Sequence, residues 1–137
     1  MDCIFCKIVS GTISAKKLYE TSNSLAFLDA YPLTPGHTLV IPKNHYAKVQ
    51  DMSESDSKDL FETVKILARK LESISSSSLI AIHNGKESGQ EIPHVHVHVV
   101  PRNPSDGAGP IHSMFVKRPT LDENEFEKII KIIQNNK

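Results

Sequence analysis

Cysteine, long apolar runs and an excess of charge of either sign are what this sequence lacks. Of its 137 residues only Cys3 and Cys6 are cysteines, so no network of disulfides holds the chain together. None is needed: with 39% hydrophobic residues, a chain of this length buries roughly two thirds of the surface its unfolded form exposes. Sixteen basic residues balance sixteen acidic ones, which argues against a broad basic face for nucleic acid or anionic lipid and leaves room for a local anion site. No apolar stretch approaches the roughly 18 residues of a membrane span, and Met1-Asp2-Cys3 opens without a basic leader. The expectation is a soluble, cytoplasmic protein of one domain, residues 1–137. In a reducing compartment the C-x-x-C spacing of Cys3 and Cys6 suggests metal or redox use before a structural disulfide. A thioredoxin-like use is the weaker of the two, because the preceding strand and the following long helix are missing.

What the sequence has in quantity is histidine, seven in all. Three of them alternate with valines in His94-Val95-His96-Val97-His98-Val99. In a β-strand alternate side chains point to opposite faces, so the three imidazoles project together and the valines project the other way. A helix would scatter them, and β-branched valine favours the extended form. Imidazole is a nucleophile, an acid/base group and a metal ligand near neutral pH. Three at alternate positions can bind a metal, attack a phosphorus, shuttle a proton or simply form a polar, hydrogen-bonded sheet face.

The remaining pattern supplies the scaffold. Residues 3–9 suit a short helical turn closed by Gly11. Lys17–Glu20 and Ser24–Asp29 read as a hairpin with Leu25, Phe27 and Leu18 facing inward. Tyr31–Gly36 is a loop broken by two prolines, and residues 37–41 resume a strand that Pro42 ends. Ser53 caps a long helix with the apolar stripe Leu60, Phe61, Val64, Leu67, Ala68 and Leu71. Ser75–Ser78 reads as a surface loop, Leu79–His83 as a strand, and 84–89 as a polar turn into the histidine strand, with which Leu79–His83 should pair. After the turn-rich stretch 103–110, Thr120-x-x-Glu123 resembles a capping box before a helix carrying Phe126, Ile129, Ile130 and Ile133. The sum predicts an α+β fold: an antiparallel sheet of about five strands, one long helix packed on the valine face, a short N-terminal helix and a C-terminal helix. His37, His83 and His112 have no compelling partner in this pattern and read as surface or hydrogen-bonded residues.

Cys3-Ile4-Phe5-Cys6-Lys7-Ile8, Asp29 after Phe27, His37-x-Leu39-Val40-Ile41-Pro42-Lys43-x-His45, and Gly89-Gln90 followed by His94-x-His96-x-His98 occur in one order. This combination closely resembles the histidine triad (HIT) family, nearest to its Hint-like branch of nucleotide-binding hydrolases, over about residues 3–102. The resemblance implies cleavage of nucleoside phosphoramidates or dinucleoside polyphosphates at the α-phosphorus, with His96 as the attacking nitrogen and a nucleotidyl-histidine intermediate. It implies that His98 and backbone amides near Glu91 hold the phosphate, that Gln90 meets the leaving-group side, and that Asn84 lines the site. Asp29 would accept from the ribose of a purine nucleotide, with Phe5, Ile8, Phe27 and Leu39 around the base; from the residues alone those four read first as core, and only the resemblance tips them towards binding. Zinc-containing members imply a structural zinc held by Cys3, Cys6, His45 and His94, and the family also implies a homodimer. Glu91 departs from relatives that carry a small hydroxyl residue there. A carboxylate so placed would repel a phosphate, so its side chain is expected to point away or to serve leaving-group protonation. Two other readings stand beside this one: a zinc-stabilised nucleotide-binding or protein-interaction module with little turnover, and a metal-dependent enzyme with the histidines as ligands.

Overall fold

Five strands, β1 (Lys17–Glu20), β2 (Ser24–Leu28), β3 (Thr38–Pro42), β4 (Ser77–Ala81) and β5 (Val97–Arg102), form one antiparallel sheet in the order β1-β2-β3-β5-β4. With them stand a short helix α1 (Ile4–Val9), a long helix α2 (Glu54–Lys70) and a C-terminal helix α3 (Glu123–Asn135). This computed structural model describes residues 2–136, which divide into two compact units, one ending at Asp106 and the other beginning at Gly107. The sheet, α1 and α2 belong to the first; α3 belongs to the second.

The alternation of side chains sorts the first unit into two apolar layers. On one face Ala26, Val40, Val95, Val97 and Val99 pack with Leu60, Val64, Leu67 and Leu71 of α2 and its end. Val40, Val95, Val97 and Val99 are each at most 1% exposed, and burying such a side chain stabilises by roughly 1.5–3 kcal/mol. On the other face Leu25, Phe27, Leu39 and Ile41 pack with Phe5 and Ile8 of α1. The valine face therefore meets the long helix, as the pattern predicts, and the histidine face lies on the side of α1.

Several local expectations change. The strand of histidines begins only at Val97. Pro93 and His94 lie in a bend, where the Val95 amide bonds to the Tyr46 carbonyl at 2.7 Å instead of to a neighbouring strand. The register between β1 and β2 shifts between Lys17 and Tyr19, and Leu18, at that irregularity, turns outward and is 43% exposed. Phe61 is 46% exposed, because it lies one residue, about 100° of helical turn, beyond the buried position of Leu60. Ser77 and Ser78 are not loop; they open β4 opposite Arg102 and Pro101. The N-cap of α3 is Asp122, whose Oδ1 accepts from the Glu125 amide at 2.8 Å, so Thr120 is not the cap.

One buried carboxylate ties the turns of the first unit together. Asp56, in the first turn of α2, accepts from Tyr46 Oη (2.6 Å), Asn44 Nδ2 (2.9 Å) and Asn23 Nδ2 (2.8 Å). The hydroxyl of Tyr46 is the main cause that holds its carboxyl below the ordinary value of 3.8, with Asn44 next, against the opposing effect of burial. A lowered folded pKa means stabilisation that is complete above the ordinary carboxylate range and is lost as the pH falls through the lower folded value. Replacement Asp56→Asn should therefore cost about 1–3 kcal/mol at pH 7 in urea unfolding, with the gap to the parent narrowing below about pH 4. An equal penalty at pH 3 and pH 7 would show that the charge is irrelevant.

Candidate active site

Beyond the bend, the chain from His94 to His98 carries three imidazoles whose hydrogen bonds give each a different role. His94 is fully buried; its Nε2 donates to the Pro42 carbonyl at 2.9 Å. A carbonyl only accepts, so the proton sits on Nε2 and the lone pair on Nδ1. That Nδ1 lies 3.5 Å from Cys3 Sγ, 3.7 Å from Cys6 Sγ and 3.1 Å from His45 Nδ1, while Cys6 Sγ lies 3.4 Å from His45 Nδ1. All four ligand atoms fall within 4.8 Å of one another. Zinc–sulfur bonds of about 2.3 Å and zinc–nitrogen bonds of about 2.0 Å give tetrahedral edges of roughly 3.3 Å for N–N and 3.5 Å for N–S. The four edges given above match these to about 0.2 Å, and the Pro42 carbonyl supplies the outer hydrogen bond that orients a ligating imidazole. Burial, more than any other influence, pushes the His94 pKa down to about 4, so its ring is neutral at pH 7. Burial and the Cys3 sulfur push the Cys6 thiol up; a cation at the centre would reverse that.

His96 is 8% exposed, and its Nδ1 donates to the His94 carbonyl at 2.7 Å. Its lone pair is therefore on Nε2. Burial lowers its pKa, against the opposing effect of that carbonyl, so the ring is neutral and nucleophilic at pH 7.

The proton on His98 is fixed from further away. The Leu33 amide donates to His37 Nδ1 at 3.1 Å, which leaves the His37 proton on Nε2. That nitrogen is 3.0 Å from His98 Nδ1 and donates to it, so His98 carries its proton on Nε2. Among the described residues, this buried Nε2 has no hydrogen-bond partner. Burial also keeps His37 and His98 neutral, lowering the first and pushing the second down to about 4. The rings of His96 and His98 are 5.0 Å apart: one offers a lone pair, the other an N–H.

Both rings border a cavity of about 860 Å³, which Phe5, Ile8, Phe27, Leu39, Asp29 and Glu91 also line. Phe5 meets His96 edge-on, with centroids 5.0 Å apart. β2 and β3 supply Phe27 and Leu39 because those residues are cross-strand partners, and Leu39 is in turn the partner of His98. Asp29 follows β2, with Oδ1 accepting from the Tyr31 amide at 2.9 Å and Oδ2 3.6 Å from His37 Nε2. It starts the turn and also borders the cavity.

Two expected site residues are elsewhere. Asn84 does not line the cavity; its Oδ1 accepts from the Val49 amide and its Nδ2 donates to Gln50 Oε1, both at 2.9 Å. Gln90 also does not line it. Its Oε1 accepts from the Gly85 amide at 2.8 Å, and its Nε2 donates to the carbonyls of Ala47 (2.9 Å) and Ile92 (3.1 Å). Both side chains are spent on bracing loops. Glu91 is exposed and borders the cavity.

His37 and His83 belong to the site, although the sequence pattern left them without partners. His83 lines the cavity and packs on the His98 ring with centroids 5.5 Å apart. A signal for it was the expected pairing of Leu79–His83 with the histidine strand; β4 ends sooner, at Ala81 opposite His98, and His83 follows two residues later.

A sequence model described as the HIT domain matches residues 10–105. The adenosine 5'-monophosphoramidase hnt1 of Schizosaccharomyces pombe is 43% identical over 102 residues, covering 74% of this chain and 75% of that protein. A solved structure of a member of the HIT family from Bacillus subtilis superposes with a TM-score of 0.88 at 33% identity, covering 100% of this chain and 98% of the other. A zinc-bound histidine triad family protein from Mycobacterium smegmatis superposes at 0.74 with 31% identity, covering 100% and 99%.

The tautomers are directly observable. Nitrogen-15 NMR of the imidazoles at pH 7 should find His96 protonated at Nδ1 and His98 at Nε2. His37→Phe, which removes the donor to His98 Nδ1, should shift His98 towards a mixture and leave His96 as it was. A proton on Nδ1 of His98 in the parent protein would break the relay from Leu33.

Proposed function

The chain belongs to the HIT (histidine triad) family, and from that premise we propose that it is a nucleotide hydrolase cleaving nucleoside phosphoramidates or nucleotide phosphoanhydrides at the α-phosphorus. What carries this reading is the pair of opposite tautomers. A neutral Nε2 lone pair on His96 attacks an anionic phosphorus with less repulsion than a carboxylate does, and the unpartnered Nε2–H of His98 is a donor for a non-bridging oxygen as charge builds there. The bond from His96 Nε2 to phosphorus forms as the bond to the leaving group breaks. Water then attacks the nucleotidyl-histidine, restoring His96 and releasing the nucleoside monophosphate. The apolar wall of Phe5, Ile8, Phe27 and Leu39 suits a purine base, and the Asp29 carboxylate suits the ribose hydroxyls.

Cys3, Cys6, His45 and His94 would hold a structural zinc, which supplies cross-linking of α1 to the segments around His45 and His94, not a reacting group. The adenosine 5'-monophosphoramidase likeness supports the substrate class, and the zinc-bound likeness supports the metal. The free thiols of Cys3 and Cys6 suit the reducing cytoplasm. β4 stands at the edge of the sheet with Leu79 and Ile80 38% and 47% exposed, and this edge suits pairing with a second copy in a homodimer.

Adenosine 5'-phosphoramidate labelled at phosphorus should leave acid-labile label on the protein after rapid quenching, and His96→Ala should abolish both label and turnover. His98→Ala should lower turnover by about 10²–10³-fold. Turnover that survives His96→Ala would falsify the nucleophile, and nucleotide affinity without product would favour a binding module. For the metal, elemental measurement should find one zinc per chain, and Cys3→Ser should lower the melting temperature. Metal-free protein whose stability ignores that substitution removes the zinc.

A further inference from the structure

Cleavage of a phosphoramidate leaves a problem that His96 and His98 do not solve. The departing nitrogen takes the electron pair of the P–N bond and must gain a proton, because an amine does not leave as its anion. In-line displacement carries that nitrogen away from the attacking Nε2, to the far side of phosphorus, so the proton must come from another group on the cavity wall. Hydrogen bonding already spends three polar side chains around the cavity. Both nitrogens of His37 are engaged, by the Leu33 amide and by His98. Both nitrogens of His94 are engaged, by Pro42 and by the cysteine cluster. Gln90 is spent on three backbone groups.

Of the cavity-lining groups that can carry a proton, Lys16, Asp29 and Tyr31 flank the β1–β2 hairpin, whereas His83 and Glu91 lie on the segment that leads into the histidines. His83 lines the cavity together with His96 and His98, and no hydrogen bond to it is found among the described residues. Its ring is held against His98 at 5.5 Å and next to Gly89, where an added Cβ would lie 3.7 Å from the imidazole. Gly89 has a φ of 102°, a left-handed conformation that favours glycine, and it borders the same cavity. β4 ends at Ala81, the partner of His98, two residues before His83, and a charge on His83 would disfavour protonation of both His96 and His98. A group whose charge is felt by both is near the reacting centre.

We propose that His83 is the acid that protonates the leaving group and the base that then activates water. This rests on the reading of His96 as nucleophile. In the first step the His83 imidazolium gives its N–H proton to the leaving nitrogen as the P–N bond breaks and the bond from His96 Nε2 to phosphorus forms. In the second, neutral His83 takes a proton from the attacking water as the N–P bond to His96 breaks. One proton leaves and one returns, so each turnover ends with His83 as it began. The other cavity group able to carry a proton near Gly89 is Glu91, which is exposed, whereas His83 is half-buried and fixed by its ring contact.

The test compares two leaving groups through kcat/KM, which reports the steps up to the first departure. Adenosine 5'-phosphoramidate with an alkylamine leaving group needs a proton; adenosine 5'-(4-nitrophenyl) phosphate releases a weakly basic phenolate that does not. His83→Asn should lose about 10²–10⁴-fold on the first and less than about tenfold on the second. His83→Gln is made alongside, with melting curves of both, so that one misfolded variant does not decide the matter. Equal losses on the two substrates would make His83 a packing residue and overturn the proposal, as would no loss on either. Selective loss in Glu91→Gln, with none in His83→Asn, would overturn it in favour of the carboxyl group. If the parent turns over neither substrate, the hydrolase reading itself fails, and this proposal with it; if the parent is active and His96→Ala is inactive, a result on His83 stands or falls alone.

Discussion

The 2.7 Å hydrogen bond from His96 Nδ1 to the carbonyl of His94 governs what the other groups of the site can do. Because a carbonyl cannot donate, this bond leaves the His96 lone pair on Nε2 and keeps the ring from rotating into the alternative. A second chain of donors, from the Leu33 amide through His37 to His98, gives the neighbouring ring the opposite tautomer. Two imidazoles whose centroids are 5.0 Å apart thus present unlike faces to one cavity. Burial completes the arrangement: it disfavours imidazolium in both rings, so neither adds a charge that would cost free energy in a dry site.

The sheet makes this possible because its two faces carry different loads. Val95, Val97 and Val99 are buried against α2, which holds the segment by contacts that do not involve its polar groups. The opposite face is free to bury imidazoles at the cost of satisfying each ring nitrogen, and backbone groups do most of that work: the carbonyls of Pro42 and His94 and the amide of Leu33. Asp56 has the same logic on a smaller scale. It collects Asn23, Asn44 and Tyr46, and so fixes the segment that presents His45 to the cysteines and the Tyr46 carbonyl to Val95.

Much of this was legible in the chain. Alternation in residues 94–99 gives the two faces, the Leu60–Leu71 spacing gives the long helix, and the order of short apolar runs gives an antiparallel sheet. What was not legible depends on non-local hydrogen bonds. Nothing in the alternation says that the chain bends at Pro93, so that the His94 ring meets Cys3 and Cys6 while His96 and His98 face the cavity. Asn84 and Gln90 are polar residues in a turn, and only the approach of residues 47–50 shows that their amides brace it. His83 shows the converse: it reads as the end of a strand that pairs with the histidine strand, yet that strand ends at Ala81, and only the fold brings the His83 ring against His98. His37 acts through the amide of Leu33, four residues earlier, and a backbone donor carries no mark in the sequence.

Helix α1 links the cysteine cluster to the cavity. Six residues are too few for a helix to persist in water without tertiary support, and its N-cap residue, Cys3, makes no side-chain capping bond. Its position therefore comes from the burial of Phe5 and Ile8 and from the sulfurs that flank Phe5 in sequence, Cys3 and Cys6. Phe5 touches Phe27, His94 and His96, joining the apolar wall, the cluster and the lone-pair ring through one side chain. Opening the cluster would release the helix, and with it the edge contact of Phe5 on His96. In the proposed reaction, a cluster that takes no part in bond making would still control the attacking nitrogen, because orientation is set by whatever cannot move.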